Sequence, residues 1–311
     1  MKKKGFIIIL SIVALLIILL SVLRKPSNKE GLFVENDSVF FTENPIFLEF
    51  AEQGINHIAK NIASPVEIAA TLRDYEFDYN PKLLLELDLS DFVVAREKAV
   101  ALGGIGVDLM YVNFYEKAFD MPNRLLNINR LSQELYLSQF FDYELLKELT
   151  SSALTDSKID SIMFISTYNL NSMQNYLLDS EKLEIGVYMI LGAWTEGIHL
   201  LANTAKNHED ERLYERLAEQ KFFMEQLMML LTTFEADKNI KKILQQIKPL
   251  HEAIFNVKFE YKDIGEPVMR SDRDGNEVMY QYQSSHANVN QEQVLKVAEE
   301  VDNFRNALFQ L

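Results

Sequence analysis

Glu196 and His199 stand one helical turn apart in "LGAWTEGIHLLA" (191–202), a stretch that is otherwise apolar nearly all the way round and holds the only tryptophan, Trp194. A carboxylate and an imidazole three residues apart share one helix face. Helix bundles that hold paired metal ions use this Glu-x-x-His spacing, but on two helices. None of the other four histidines, His57, His208, His251 and His286, has an acid three residues before it. The residues therefore leave open only a mononuclear or degenerate site, with Asp108 as a third ligand. A second chemistry is general acid–base catalysis by Asp108 and Glu196, because burial in apolar helices raises the pKa of a carboxyl group. The third reading is structural. A buried carboxylate accepts bonds from Tyr hydroxyls, the Trp194 indole or helix N-termini, and Asp108, Tyr111, Trp194, Glu196 and His199 then form a polar pin that fixes one packing arrangement. Tyr111, Tyr115 and Tyr188 are the hydroxyl donors at hand.

Nothing else in the chain supplies a reaction. "GGIG" (103–106) lacks the lysine of a phosphate-binding loop and sits within a helical pattern rather than after a strand. There is no His-Glu-x-x-His and no nucleophile elbow. The absence of cysteine removes thiolate catalysis, cysteine zinc sites and disulfides. The structural pin is the expected reading. No metal or cofactor is expected, and Asp108, Glu196 and His199 are the weak catalytic candidates.

The elements that must position these residues are two helices apolar on every face, "AVALGGIGVDLMYVNFY" (99–115) and "IGVYMILGAWTEGIHLLA" (185–202). Helices of this kind belong at the centre of a core. Their unbroken apolar runs stop at Val107 and Ala193, too short to span a bilayer. Each has a glycine four residues before its acid, Gly104 before Asp108 and Gly192 before Glu196, and each acid is followed by a polar ring, Tyr111 or His199. The parallel suggests two related helical hairpins about a pseudo-twofold axis. Gly104 and Gly192 would permit close packing, and the acids would meet near the centre.

The remaining pattern predicts a mainly α bundle of about eight to ten helices with a small C-terminal β-hairpin and a final amphipathic helix. Phe47 to Ile62 has helical spacing. In "SPVE" (64–67) Ser64 caps, Pro65 takes the first position and Glu67 reaches back. Ser90 or Asp91 is expected to open a helix running to Lys117, and Asp120 with Pro122 another running to Tyr136. Further helices are expected near 142–153, 157–179, 183–206, 209–235 and 238–255. Residues 256–283 alternate and carry turn residues, which predicts a hairpin at about 257–283 with its tip near Asp274-Gly275. That tip resembles a calcium loop only superficially, because Gly275 is fourth in a loop counted from Asp272 rather than sixth. Asn290 should cap the last helix, with Val294, Val297, Val301, Phe304 and Leu308 on one stripe.

The 311 residues carry a net charge of −15. Residues 1–30 hold six of the 31 Lys/Arg and one of the 46 Asp/Glu, leaving 25 basic and 45 acidic residues, or −20, for the body. An acidic body repels phosphate backbones, so no nucleic-acid partner is expected. Lys2, Lys3 and Lys4 precede an uninterrupted apolar run from Phe6 to Leu23. Eighteen helical residues reach roughly 27 Å, close to the hydrocarbon thickness. The exit, Ser21-Val22-Leu23-Arg24-Lys25, is a poor cleavage site. The expected organisation is a signal anchor at 1–23 crossing the inner membrane once through residues 6–23, a linker at 24–36, and an exported helical domain at 37–311. Arg24, Lys25 and Lys29 beyond the span pull against that orientation, and a body facing the cytosol is the runner-up.

Four blocks, "SPVEIAATLRDYEFDYNPKLL", "KAVALGGIGVDLMYVNFYEKA", "ILGAWTEGIHLLANTA" and "VAEEVDNFRNAL", follow one another in this order. Together they resemble an uncharacterised family of helical, often lipoprotein-like, envelope proteins of Bacteroidota, over roughly residues 60–310. The resemblance implies an address in the cell envelope and no known activity. Family members commonly carry a lipoprotein signal and its cysteine, from which this chain departs. They commonly have tyrosine at the position of His199, which implies that His199 is not a metal ligand. The expected role is a non-catalytic binding or scaffold protein of the envelope, whose partner is an envelope protein or component. The exposed candidates are the hairpin tip (Arg270 to Asn276) and the acidic turn "NHEDE" (207–211). The alternatives are a metal- or acid-dependent enzyme, or a small-molecule sensor, centred on Asp108, Glu196 and His199.

Overall fold

Two helices too apolar to face water set the architecture. In the computed structural model, residues 65–141, 176–177, 182–271 and 277–310 are described, all within the unit Asp37–Leu311. The described helices are α1 (Pro65–Asp74), α2 (Ala95–Phe114), α3 (Met121–Glu134), α4 (Leu183–Asn207), α5 (Glu211–Thr233), α6 (Lys238–Phe255) and α7 (Gln291–Phe309). A two-stranded antiparallel sheet, β1 (Lys258–Ser271) and β2 (Glu277–Asn288), precedes α7. The fold is mainly α with a small C-terminal hairpin, as the pattern predicts. The anchor, the linker, the 47–62 segment, the Ser64 cap, the 142–153 helix, almost all of the 157–179 helix and the hairpin tip lie outside the described residues.

The two apolar helices, α2 and α4, form the central pair. The rest of the core is laid on them, with α1, α5 and α7 packed on α4 and α3 on α2. By length and hydropathy α4 could cross a membrane, yet nearly all of that stretch is buried within the protein, as befits a core helix. The closeness of the pair depends on two glycines. A Cβ on Gly192 would stand 2.1 Å from the Val100 carbonyl oxygen, and one on Gly103 would stand 2.1 Å from that of Met189. Of the two glycines expected to close this contact, Gly192 lies in it and Gly104 does not. A Cβ on Gly104 would instead meet the side chains of Leu85 and Phe309, because Gly104 is one residue, about 100°, around the helix from the partner backbone.

The helix limits follow from local capping. The Asp210 carboxylate accepts from the Arg212 N–H at the start of α5, and Asp237 accepts from the N–H groups of Asn239 and Ile240 at the start of α6. At α7, Asn290 accepts from the Gln293 N–H and the Gln293 side chain accepts from the Asn290 N–H, a reciprocal capping box. Helix α2 begins four or five residues later than Ser90 or Asp91. Ser90 is held in a turn by Asp88, and the Glu97 carboxylate reaches back to the N–H groups of Val93 and Val94. Stripes do the rest. Ile240, Ile243, Ile247, Leu250 and Ile254 bury one face of α6, and Val294, Val297, Val301 and Phe304 one face of α7.

The hairpin runs five residues beyond the expected limit of 283, because β2 stays paired through Ala287 and Asn288. The "SSHAN" segment lacks the β-branched and aromatic residues that announce a strand, but Val257, Ala287 and Ala218 are buried together and secure the base of the ribbon on α5.

The glycine contacts can be weighed against a control in the partner helix. Gly192→Ala should lower stability by roughly 1–3 kcal/mol through forced backbone separation. Gly106→Ala, where a Cβ meets nothing within 4 Å, should raise stability by up to about 1 kcal/mol through helix propensity. Chemical denaturation of the two variants beside the parent checks this. Equal effects would show that the close approach is not what holds α2 against α4.

Candidate functional site

Asp108 and Glu196 are fully buried in the central helices, and each has found a base. Both oxygens of Glu196 accept from Arg305 of α7, Nε at 2.7 Å and Nη2 at 3.0 Å. The fork of the guanidinium matches the carboxylate, the strongest form such a pair takes. The same Nη2 donates to the Leu83 carbonyl at 3.1 Å. Asp108 accepts the Leu85 N–H on Oδ2 at 2.8 Å, and Arg124 Nε stands 3.5 Å from that oxygen. Arg124 also donates to the Asp120 carbonyl at 2.9 Å. Oδ1 of Asp108 is buried without a hydrogen-bond partner among the described residues. Burial, and then the nearby charge of Glu196, push the Asp108 carboxyl well above the usual range, against the pull of Arg124, the Leu85 N–H and Arg305.

A common purpose emerges from the acceptors and donors. Residues 80–85 form a short 3-10 turn and an extended stretch, and Leu84 and Leu85 are buried. A non-helical backbone passing over a core has polar groups that no helix satisfies. Here Tyr111 Oη accepts the Asn80 N–H at 3.0 Å, Arg305 donates to the Leu83 carbonyl, and Asp108 accepts the Leu85 N–H. Three side chains from α2 and α7 thus provide the ladder that a neighbouring strand would provide in a sheet.

His199 belongs to a separate pair. Its Nδ1 lies 2.8 Å from Asp302 Oδ1, an oxygen that also accepts from Asn203 Nδ2 at 2.8 Å. The carboxylate places the proton on Nδ1. Nε2 of His199 is buried with no partner among the described residues. For Asp302, burial raises the pKa, but the hydrogen bonds from His199 and Asn203 outweigh it and hold the carboxyl below its ordinary value. Helices α4 and α7 therefore meet through an ion pair, Glu196 with Arg305, and a hydrogen bond, His199 with Asp302, the two contacts three residues apart on each helix.

The five residues of the expected pin are all buried, but they do not bond to one another. Trp194 Nε1 donates to Gln220 Oε1 of α5 at 3.3 Å, and its ring stacks on Phe223 with centroids 5.2 Å apart. Tyr111 serves the loop and packs between Tyr79 and Tyr115, whose rings lie 5.4 and 4.9 Å away. The Tyr79 hydroxyl donates to Asp120 at 2.7 Å. The hydroxyls of Tyr115 and Tyr188 have no partner among the described residues. The expectation that Tyr hydroxyls or the Trp indole satisfy Glu196 is corrected: arginine does so, because a charged buried acceptor is better matched by a charged fork than by neutral donors.

Sequence reasoning missed Arg124, Asn203, Gln220, Asp302 and Arg305. For two of them a signal existed. Asp302 and Arg305 adjoin Val301 and Phe304 on the apolar stripe of α7, with the same three-residue spacing as Glu196 and His199 and the charges reversed. Among the described residues, no three His, Asp or Glu side chains are placed to hold a metal ion together. The acidic turn serves the fold: Asp210 caps α5 and pairs with Arg212, whose guanidinium lies 4.5 Å from the Tyr75 ring centroid. Compared with family models, curated proteins and solved structures, the chain finds no match.

Removing one member of a buried, hydrogen-bonded ion pair leaves the other uncompensated. Arg305→Ala should cost about 3–5 kcal/mol, while Glu196→Leu combined with Arg305→Met should recover most of that loss. Denaturant titration decides it, and a pair whose double variant is no better than the single one is not the clasp described here.

Asp108 has an opposite consequence. A carboxyl raised in the folded state binds its proton more tightly there than in the unfolded chain. Its contribution is therefore full below the ordinary aspartate value of about 3.9 and is lost as pH rises through the folded-state value. Asp108→Asn retains an acceptor for Leu85 and removes this loss. The melting temperature of the variant should gain on that of the parent as pH rises from acid to neutral. A constant difference across that range would mean that folding does not raise the Asp108 carboxyl at all.

Proposed function

We propose that this protein is a membrane-anchored, non-catalytic scaffold or binding protein of the cell envelope, held in the inner membrane by residues 6–23 with its helical body in the periplasm. The observation that carries the non-catalytic reading is the internal commitment of the site. Both oxygens of Glu196 are taken by Arg305, Asp108 holds the backbone of Leu85, and His199 faces Asp302. A catalytic carboxylate must be able to exchange partners with a substrate, and Glu196 in a bidentate buried pair cannot do so without opening α7. The address is supported by the basic start, the apolar run to Leu23 and the acidic body, together with the family resemblance.

A second reading has an observation of its own. Asp108 Oδ1 and His199 Nε2 are buried without partners among the described residues, and a carboxyl that keeps its proton beside a second carboxylate is what acid catalysis uses. Metal content and stability of the full chain, purified without chelator, separate the two readings. The scaffold reading expects substoichiometric iron, zinc and manganese in the parent, and a large drop in melting temperature for Glu196→Ala combined with His199→Ala. Stoichiometric metal that disappears in this double variant would overturn it.

A further inference from the structure

Helix α6 departs from the charge of the body that carries it. It holds four lysines, Lys238, Lys241, Lys242 and Lys248, and one acid, Glu252, whereas no other described helix has more than one base in excess of its acids. All four lysines are exposed. Lys248 stands 3.9 Å from Glu252. Among the described residues, Lys238, Lys241 and Lys242 form no ion pair. They lie at the start of the helix, whose first turn contains no acid. The N-terminal end of a helix favours negative charge and disfavours positive. A local rule broken with no offsetting contact inside the body points to a partner outside it.

At 100° per residue the four lysines fall within an arc of about 120°, opposite the buried stripe of α6. Lys241, Lys248 and Phe255 follow one another at seven-residue spacing along one side of this face, which runs roughly 27 Å. Its far end is aromatic. Phe255 is half exposed, with Lys221 Nζ 4.3 Å from its ring centroid, and Phe222, also half exposed, packs against Phe259.

We propose that this face of α6 is a docking surface for an anionic lipid bilayer, with the lysines at the level of the phosphates and Phe255 and Phe222 at its margin. Charge picks the face. Residues 31–311 together carry −20, so an anionic surface repels the body except where positive charge is continuous. The tether picks the occupant. The 41 residues from Arg24 to Ser64 separate the apolar run from α1 and extend no farther than about 140 Å. A free acidic partner must reach α6 by diffusion, whereas the bilayer that holds residues 6–23 is always within that reach, at a high effective concentration. Lysine beside phenylalanine also suits an interface, where the ammonium meets phosphate and the ring meets the acyl boundary. The inference rests on the anchor in the proposed function but not on the side to which the body faces, because both leaflets present lipid phosphate.

The test uses the full chain reconstituted in vesicles of phosphatidylcholine with one-third phosphatidylglycerol, and in vesicles of phosphatidylcholine alone. The chain has no cysteine, so Gln245→Cys can carry a fluorophore among the lysines, and Gln133→Cys on α3 can carry the same label as a control. Both positions are exposed. Lipids with spin-labelled headgroups should quench the label at 245 several-fold more than the label at 133 in the anionic vesicles. The difference should vanish in phosphatidylcholine alone, in high salt, and when Lys238→Glu, Lys241→Glu and Lys242→Glu are combined, since each lysine near an anionic surface shifts the docked fraction roughly fivefold. Acids suit the start of a helix, so this variant should keep the parent's circular dichroism. A chain that an alkaline wash strips from the vesicles overturns the anchor and this inference together. A retained chain whose two labels are quenched alike overturns the inference alone, and so does quenching at 245 that ignores the lysine substitutions. A label at 245 that is shielded from water in both vesicle types without being quenched also overturns it, by showing that a second copy or another protein segment covers α6.

Discussion

The bidentate contact between Glu196 and Arg305 is the point on which the body turns. A carboxylate at the centre of an apolar bundle is tolerable only with a matched cation and full hydrogen bonding. The cation comes from the last helix, and its spare N–H reaches the carbonyl of Leu83. One guanidinium thus joins three parts of the fold that are remote in sequence: the central helix, the closing helix and the loop that crosses them. The neighbouring pair, His199 with Asp302, repeats the connection with its polarity reversed. A helix docked by apolar residues alone can slide or rotate at modest cost. A helix that must satisfy a carboxylate and an imidazole at fixed spacing cannot, so the pairs set the register of α7 on α4.

This view changes what the polar residues of the core are for. Buried acids in a helical bundle invite a catalytic or metal-binding interpretation. Here they, with Tyr111, answer a backbone problem. Residues 80–85 satisfy only part of their backbone through a 3-10 turn, and the side chains of Tyr111, Asp108 and Arg305 receive the Asn80 and Leu85 N–H groups and the Leu83 carbonyl. Helix packing leaves no strand to do this, so side chains with the right reach must.

Much of the scaffold was legible in the sequence. The two all-apolar helices announced themselves as central, and the cap at Asn290 marked the start of the last helix with local chemistry. The stripe of α7 predicted its buried face. What failed did so where the answer is not local. The start of α2 depends on Glu97 reaching backward past a hydrophobic residue, and the end of β2 depends on an anchor at Ala218 some seventy residues earlier. The close approach belongs to Gly103 rather than Gly104, a choice fixed by helix rotation that a glycine pair in sequence leaves open. For the site, the buried acids were visible because charge inside an apolar run stands out. Their partners were not, because Arg305 and Arg124 lie in amphipathic helices where a charged residue looks ordinary.

The distance in sequence between Glu196 and its guanidinium has a bearing on how the chain acquires its structure. Arg305 lies 109 residues after Glu196, so in a chain made from its N-terminus the central helix emerges long before its counter-ion. During that interval α4 presents a large apolar surface and a charge that cannot be buried, and the body has no satisfactory partial fold to settle into. Local hairpins such as α5 with α6 can form early, but the core closes only after α7 has emerged. Synthesis and folding are thereby separated in time, and a product that stops short of Arg305 carries its own mark of incompleteness: an exposed central helix open to proteases and chaperones.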